Sequence, residues 1–324
     1  MSRRWHRFAF LFASLGILAA PAGLQAQALP NKPIRIIVPI PAGVGPEVEM
    51  RQIAARLTTF LGQSVIVENR PGAAGRIATE AVIKSPPDGT TLLLATPSTA
   101  IVEYVSKVPP YDSRRDLTPV SLVSSTAFAL YVSGDSPIQN LAQYIEAAKS
   151  KPDSITMGTF GIGGTHHMTG EWLSDVMGIK LRYIHYQTSP PYNDAARGEI
   201  ASVFESVLPV LGLVKSGRLR PIGVSGKARH AQIPDVPTFT ESGYPQFNPI
   251  VWSALSAPGK TPPAIVDKLS AAVAEVVRNP EFVKLSQDRS RDPIGSTPQE
   301  FAAFFDQEHA RWSAIAKKSG VRLE

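Results

Sequence analysis

The stretch Ile34-Arg35-Ile36-Ile37-Val38-Pro39-Ile40-Pro41-Ala42-Gly43-Val44-Gly45-Pro46-Glu47 decides the reading of the whole chain. The run Ile34 to Val38 is β-branched and too short for a globular helix, so it predicts a strand. Beyond the glycines the apolar residues change period: Met50, Ile53, Leu57 and Leu61 recur at helical spacing. Pro46 suits a first helical position and Gly62 a helix stop. A strand, a glycine turn and a helix N-terminus in this order aim free backbone N–H groups and the positive end of a helix dipole at one point. Such a point binds a small anion, unless the glycines serve only to turn the chain.

The same alternation continues outward. Val65 to Glu68 predicts a second strand, Glu68 to Gly75 a turn into a helix ending near Lys84, Pro86 to Gly89 a turn, and Thr91 to Thr96 a third strand. The last is apolar almost throughout, as a strand buried on both faces should be. Strand, helix, strand, helix, strand is a parallel α/β unit. After a β-rich stretch from Leu122 to Val132 a new set of units begins. It comprises a helix from Asn140 to Lys149, a strand from Ser154 to Gly158, the turn Gly161-Ile162-Gly163-Gly164, a helix to about Met177 and a strand from Leu181 to Tyr186. A helix ending at Gly198, a strand from Ser202 to Phe204, a helix to Lys215 and a strand from Leu219 to Val224 complete it. A strand feeding a helix through glycines therefore occurs twice, about 120 residues apart, and two such N-termini could face each other across a cleft. Gln232 to Phe247 is rich in proline and turn residues. A strand from Trp252 to Ala257 precedes helices at Pro262 to Arg278, Pro280 to Gln287 and Pro298 to Lys318. In the last helix Phe301, Phe304, Phe305, His309, Trp312 and Ile315 share a core-facing stripe.

Composition narrows the class. The 324 residues allow about two domains, and 43% hydrophobic content with near-zero mean hydropathy is ordinary for a soluble protein. Arg3, Arg4 and Arg7, the apolar run Phe8 to Ala20, Pro21 and the triplet Ala26-Gln27-Ala28 follow the order of a secretory signal. The apolar run is shorter than the roughly 20 residues a membrane span needs. With His6 where twin-arginine export expects a hydrophobic residue, residues 1–28 are expected to be a Sec signal peptide leading to the periplasm. Its three arginines removed, 30 basic side chains stand against 27 acidic ones, without a basic cluster on one predicted face, so no nucleic-acid partner is expected. The absence of cysteine excludes disulfides, thiolate metal sites and a cysteine nucleophile.

Enzyme motifs mostly fail. There is no Walker A sequence, Gly161-x-Gly163 lacks the third glycine and acidic partner of a dinucleotide fingerprint, and Gly223-Val224-Ser225-Gly226 is misspaced for a nucleophile elbow. His167 and Glu171 are four apart on a predicted helix but lack a third metal ligand. His166 and His167, in the first turn of that helix, are better suited to bonding the neighbouring loop or lining a pocket. Glu68, Arg70, Asp112, Glu205 and Arg218 are each expected to be solvated or ion-paired. Thr96, Ser98, Thr159, Thr188 and Ser206 stand at strand ends, beyond which ligands of open α/β sheets lie.

These stretches resemble the Bug family, the TctC-like substrate-binding receptors of tripartite tricarboxylate transporters. The resemblance rests on Pro33 to Gly43, Val67 to Gly75, Pro87-Asp88-Gly89, Tyr111-Asp112 with Asp116 to Pro119, Gly161-Ile162-Gly163 with His167, Ser216 to Gly223, Pro234 to Thr238 with Glu241-Ser242-Gly243, and Ala257-Pro258-Gly259 with Thr261-Pro262. Their order and spacing are specific together. The resemblance implies a type II periplasmic-binding-protein fold: two α/β domains joined by a two-strand hinge, with the ligand cleft between them. Domain 1 is then 29–127, completed by 248–324 with its C-terminal helices, and domain 2 is 128–247. It further implies a carboxylate clasped by backbone N–H groups of both glycine loops, which fall here on Gly43, Val44 and Gly45 and on Gly161, Gly163, Gly164 and Thr165. With Glu47, Ala73, Thr96, Ser98, His167, Thr188 and Glu205 these form the candidate ligand-binding set, with no catalytic residue, metal or cofactor.

The departures bear on the ligand. Where the family has a glycine pair and then Thr/Ser-Asp, this chain has Gly43-Val44-Gly45-Pro46-Glu47, and Pro46 offers neither an N–H nor a hydroxyl. The family's Tyr-Lys-Gly becomes Tyr186-Gln187-Thr188, which removes a positive charge, and Gly164 replaces an expected Thr or Ser. The expected function is capture of a small organic acid, a monocarboxylate, aromatic acid or amide-bearing molecule rather than a tricarboxylate, for handover to a membrane transporter by a monomeric receptor. A secreted small-molecule hydrolase on the same scaffold and a ligand-presenting partner of a sensor kinase are the alternatives.

Overall fold

A computed structural model describes residues 29–43, 45–187 and 189–323; the expected signal peptide, Val44 and Thr188 lie outside the described residues. Strand β1 (Ile34–Val38) leads into helix α1 (Gly45–Leu61), followed by β2 (Val65–Asn69), a single 3₁₀ turn (Ala73–Gly75), α2 (Arg76–Ile83), β3 (Thr91–Ala95), α3 (Pro97–Val105) and α4 (Ser113–Asp116). The long strand β4 (Leu117–Ser133) comes next. Then follow α5 (Leu141–Ser150), β5 (Thr156–Phe160), α6 (Thr165–Met177), β6 (Arg182–Tyr186), α7 (Tyr192–Ala196), β7 (Ser202–Ser206), α8 (Val207–Lys215) and β8 (Leu219–Val224). The chain ends with β9 (Ile250–Pro258), α9 (Pro263–Arg278), α10 (Pro280–Gln287), the two-residue strand β10 (Asp292–Pro293) and α11 (Pro298–Ser319).

The period switch at the first glycine turn is realised as expected. Ile36 and Val38 are buried, and Met50, Ile53, Ala54 and Leu57 turn one face of α1 into the same core. β1 pairs in parallel with β2 and with β3, and β5 pairs in parallel with β6 and with β7. Two parallel units thus stand at opposite ends of one curled sheet of order β2-β1-β3-β9-β4-β7-β5-β6.

β4 joins the two ends. Leu117 to Ala127 pair antiparallel with β9, whereas Phe128 to Val132 pair with β7 and Ala129 to Ser133 with β8. The chain returns between β8 and β9, where Ser225 donates its N–H to Phe128 O at 3.0 Å and accepts Phe128 N–H on Oγ at 2.8 Å. The C-terminal helix α11 crosses the junction. Its stripe is buried as the spacing predicts, with Trp312 against Trp172 of α6 and Phe301 and Phe305 around Trp252 of β9. Buried Glu308 holds both indoles, accepting from Trp252 Nε1 at 2.8 Å and Trp312 Nε1 at 3.1 Å, and pairs with Arg311.

The differences from the sequence reading are local. β4 starts five residues before the expected Leu122, because Leu117 to Ser121 complete the ladder with β9. Helix α3 was not expected at all, although Thr96-Pro97 is a helix start: a threonine cap followed by proline at the first helical position. No helix among the described residues is long and apolar enough to cross a membrane.

Candidate functional site

The two glycine loops are built alike. Gly43 has φ +85° and donates its N–H to Glu47 Oε2 at 2.9 Å; Gly163 has φ +69° and donates to His167 Nδ1 at 3.0 Å. In each case a side chain four residues on, at the start of the helix, holds the left-handed turn open. Glu47 is 1% exposed, and its other oxygen accepts from Arg51 Nε at 2.5 Å. Arg51 in turn donates to Asn69 Oδ1 at 2.9 Å, and Asn69 Nδ2 donates to Ile40 O at 2.9 Å, which fastens the loop to β2. Burial alone would raise the Glu47 carboxyl, but the Gly43 N–H and the Arg51 guanidinium outweigh it and hold the group below the usual carboxylate range. Glu47 and His167 are therefore the struts of the two loops.

With these two N–H groups engaged, the donors aimed outward are those of the α6 first turn, Thr165, His166 and His167, which have no intrahelical acceptor by construction. Gly164 is the cap residue of α6, where a Cβ would sit 2.9 Å from Phe160 O, so the turn excludes the Thr or Ser that the family resemblance implies there. Gly45 opens α1, and a Cβ there would lie 3.6 Å from an amino nitrogen of Arg291. Arg291 is buried and pairs with Glu49 at 3.0 Å.

Ser98 and Thr165 bring the two ends of the sheet together. Ser98 stands in the first turn of α3 and Thr165 opens α6, and their hydroxyl oxygens are 3.1 Å apart. Thr96 caps α3, its N–H donating to Thr99 Oγ1 at 3.1 Å. The second loop also packs on this helix, since a Cβ on Gly163 would come within 3.1 Å of Val105 Cγ2. Ala73 lies in the exposed turn after β2, where Ala73 and Ala74 both take positive φ, 47° and 51°. Gly161 donates to Tyr186 O at 3.2 Å and leaves open space where its Cβ would be.

Around the second loop, His167 packs edge-on against Tyr183 and His185, and its Nε2 lies 3.6 Å from Glu171 Oε1. His185 accepts from or donates to Thr159 Oγ1 at 2.7 Å and, half-buried beside His167, titrates below an ordinary histidine. No group of three His, Cys, Asp or Glu side chains arranged for a metal occurs among the described residues. Glu205 ends β7, its Oε1 accepting from Ser206 N–H at 2.8 Å and Ser206 Oγ at 3.0 Å. Sequence reasoning did not place His166, Phe128 and Phe160 beside it, because only the β4 crossing and the end of β5 bring those rings to one point.

A serine, an imidazole and a carboxylate do meet elsewhere. Ser113 Oγ contacts Glu103 Oε1 and His309 Nε2, the latter at 3.0 Å, and His309 Nδ1 meets Tyr104 Oη at 2.7 Å. The serine stands between acid and base and is 1% exposed, so the order differs from a nucleophilic relay, in which the histidine is central.

The family model for the tripartite tricarboxylate transporter family receptor (TctC) matches residues 49–321. BugT of Bordetella pertussis is 32% identical over 321 residues, 97% of this chain and 98% of that protein. Among solved structures, the periplasmic binding protein BugD superposes with a TM-score of 0.78 at 29% identity, over 91% of this chain and all of that one. An R. palustris protein solved with adipate superposes with a TM-score of 0.80 at 29% identity, over 90% and 99% of the two chains. The chain belongs to the TctC receptor family of periplasmic solute-binding proteins, and the fold that the resemblance implies is the fold of that family.

Proposed function

We propose that this receptor captures a small organic acid between its two halves and hands it to a tripartite tricarboxylate-type transporter. The carrying observation is the meeting of two helix starts, of α3 and the glycine-led α6, where Ser98 and Thr165 touch at 3.1 Å. A carboxylate entering there is met by first-turn N–H groups of α6, and closure buries it. Family membership fits this reading and not the hydrolase, and a relative solved with adipate supports an acid as the ligand. The halves divide at 127/128 and 247/248, a division favoured by the change of β4 partner between Ala127 and Phe128. Candidate ligand contacts are Gly45, Ala73, Thr96, Ser98, Gly161, Gly164, Thr165 and Glu205, together with the sequence candidates Val44 and Thr188; Gly43, Glu47, Gly163 and His167 shape the loops. The protein works as a monomer in the periplasm after removal of residues 1–28.

The test is a thermal-shift screen of protein purified from the periplasm of cells expressing the full chain, unfolded and refolded to strip any carried solute. Ligand at about 100 times its Kd adds about 2.7 kcal/mol, an evident shift. A selective shift by one class of acid, with the acid recovered unchanged, is the expected result; conversion of the acid would sink the receptor reading. The intact mass of the same sample is expected to begin near Leu29.

A further inference from the structure

His166 and Glu205 face each other at the carboxyl ends of the strands without bonding. Their Nε2 and Oε2 atoms are 3.8 Å apart, wider than a hydrogen bond. Glu205 is half engaged: Oε1 takes both the N–H and the hydroxyl of Ser206, which leaves Oε2 as the free acceptor. His166 Nε2 is shielded from solvent and has no partner. The imidazole is held edge-on by Phe128, with ring centres 5.0 Å apart, and by Phe160 at 4.7 Å. A buried imidazole nitrogen without a partner, beside a carboxylate oxygen without a donor, is costly unless something completes both.

We propose that this pair reads the far end of the ligand and selects a primary amide over a second carboxylate. The proposal rests on the reading of the chain as an organic-acid receptor. An amide presents a carbonyl oxygen and an NH₂ side by side: the carbonyl accepts from His166 Nε2–H while the NH₂ donates to Glu205 Oε2, so that one group bridges the two side chains. A carboxylate in the same place repels Glu205 and has no proton to offer it. The Phe160 ring, 38% exposed, offers an apolar wall that suits a hydrocarbon or aromatic spacer between the two ends, while the buried Phe128 ring backs the imidazole. Gln187, where the family resemblance implies a lysine, brings no positive charge.

The test compares isosteric pairs at neutral pH by titration calorimetry: the diacids of four to seven carbons and terephthalate, each against its own monoamide. The monoamide is expected to bind at least tenfold more tightly than the diacid of the same length. Glu205→Gln, whose side chain can both donate and accept, is expected to bring that ratio close to one. A diacid that binds as tightly as its monoamide overturns the proposal and leaves the receptor reading standing, as does a ratio unchanged in a folded Glu205→Gln protein. If that variant does not fold, the wild-type ratio decides. If no acid and no monoamide binds, the receptor reading fails and the amide selection falls with it.

Discussion

Ser98 and Thr165, 67 residues apart in sequence, meet hydroxyl to hydroxyl at 3.1 Å and so link the starts of α3 and α6. If the proposed closure brings these helix starts together, this contact gauges it. A neutral hydrogen bond contributes about 0.5–1.5 kcal/mol net, so Ser98→Ala or Thr165→Val is expected to weaken ligand binding about two- to tenfold. The ligand-free protein should keep its thermal midpoint within about 2 °C. Calorimetric titration beside a melting curve checks this; unchanged affinity would remove the contact from the closing motion.

Glu47 ties Gly43 N–H to Arg51, and it does so as a carboxylate. Glu47→Ala leaves both donors without this acceptor and is expected to cost about 1–3 kcal/mol in urea unfolding at pH 7. The folded carboxyl titrates below its unfolded value of about 4.5. Its stabilisation is therefore fully present above that value and is lost as the pH falls through the folded one. Between pH 5 and pH 3 the wild type should lose more stability than Glu47→Gln; equal losses would mean that the strut does not depend on charge.

The Glu103, Ser113 and His309 cluster carries two opposed titrations. Burial raises Glu103 from 4.5 to about 7 and lowers His309 from 6.5 to about 4. A raised carboxyl stabilises the fold most below 4.5 and loses that contribution as the pH rises towards 7. A lowered histidine contributes fully above 6.5 and loses it as the pH falls towards 4. Across pH 4.5 to 6.5 the folded pair holds its one proton on Glu103 and the unfolded pair holds its one on His309, so the two slopes cancel. Glu103→Gln should expose a stability that rises with pH, and His309→Gln one that falls. Chemical denaturation of each variant from pH 4.5 to 6.5 reads the sign directly, and parallel slopes in the two would contradict the assignment.

Gly164 leaves no room for the Thr or Ser that the family resemblance implies. Gly164→Ser places a Cβ 2.9 Å from Phe160 O, a backbone atom that cannot swing aside. An overpacking cost of about 1–3 kcal/mol is expected, with weaker ligand binding because the start of α6 must shift. Gly161→Ala is the control: its Cβ meets open space and only the positive φ of 72° is strained, so it should cost about 1 kcal/mol. If the serine variant proves as stable as the wild type, the loop can move and the packing argument fails.

Most elements were legible because their signal is local. The change from strand to helix period at Gly43 to Pro46, its repetition at Gly161 to Thr165 and the aromatic stripe of α11 all depend on neighbours within a few residues. The unexpected helix α3 was also local: Thr96-Pro97 announces it, and its missing register lay in a short apolar run that suits either state. The site was legible only in part. The family resemblance carries the clasp onto Gly43 and Gly163 by position, but each N–H is engaged by a side chain one helical turn on.

The sequence by itself determined the alternation of strands and helices, the two glycine-led helix starts and the family, since periodicity, turn residues and motif spacing are properties of the chain. Tertiary structure alone decided that β4 changes partner between Ala127 and Phe128, that Ser98 reaches Thr165, and that His166 and Glu205 stand 3.8 Å apart between Phe128 and Phe160. Those contacts join residues tens of positions apart. Their distances follow from how the sheet curls and where α11 packs, and no local pattern encodes either.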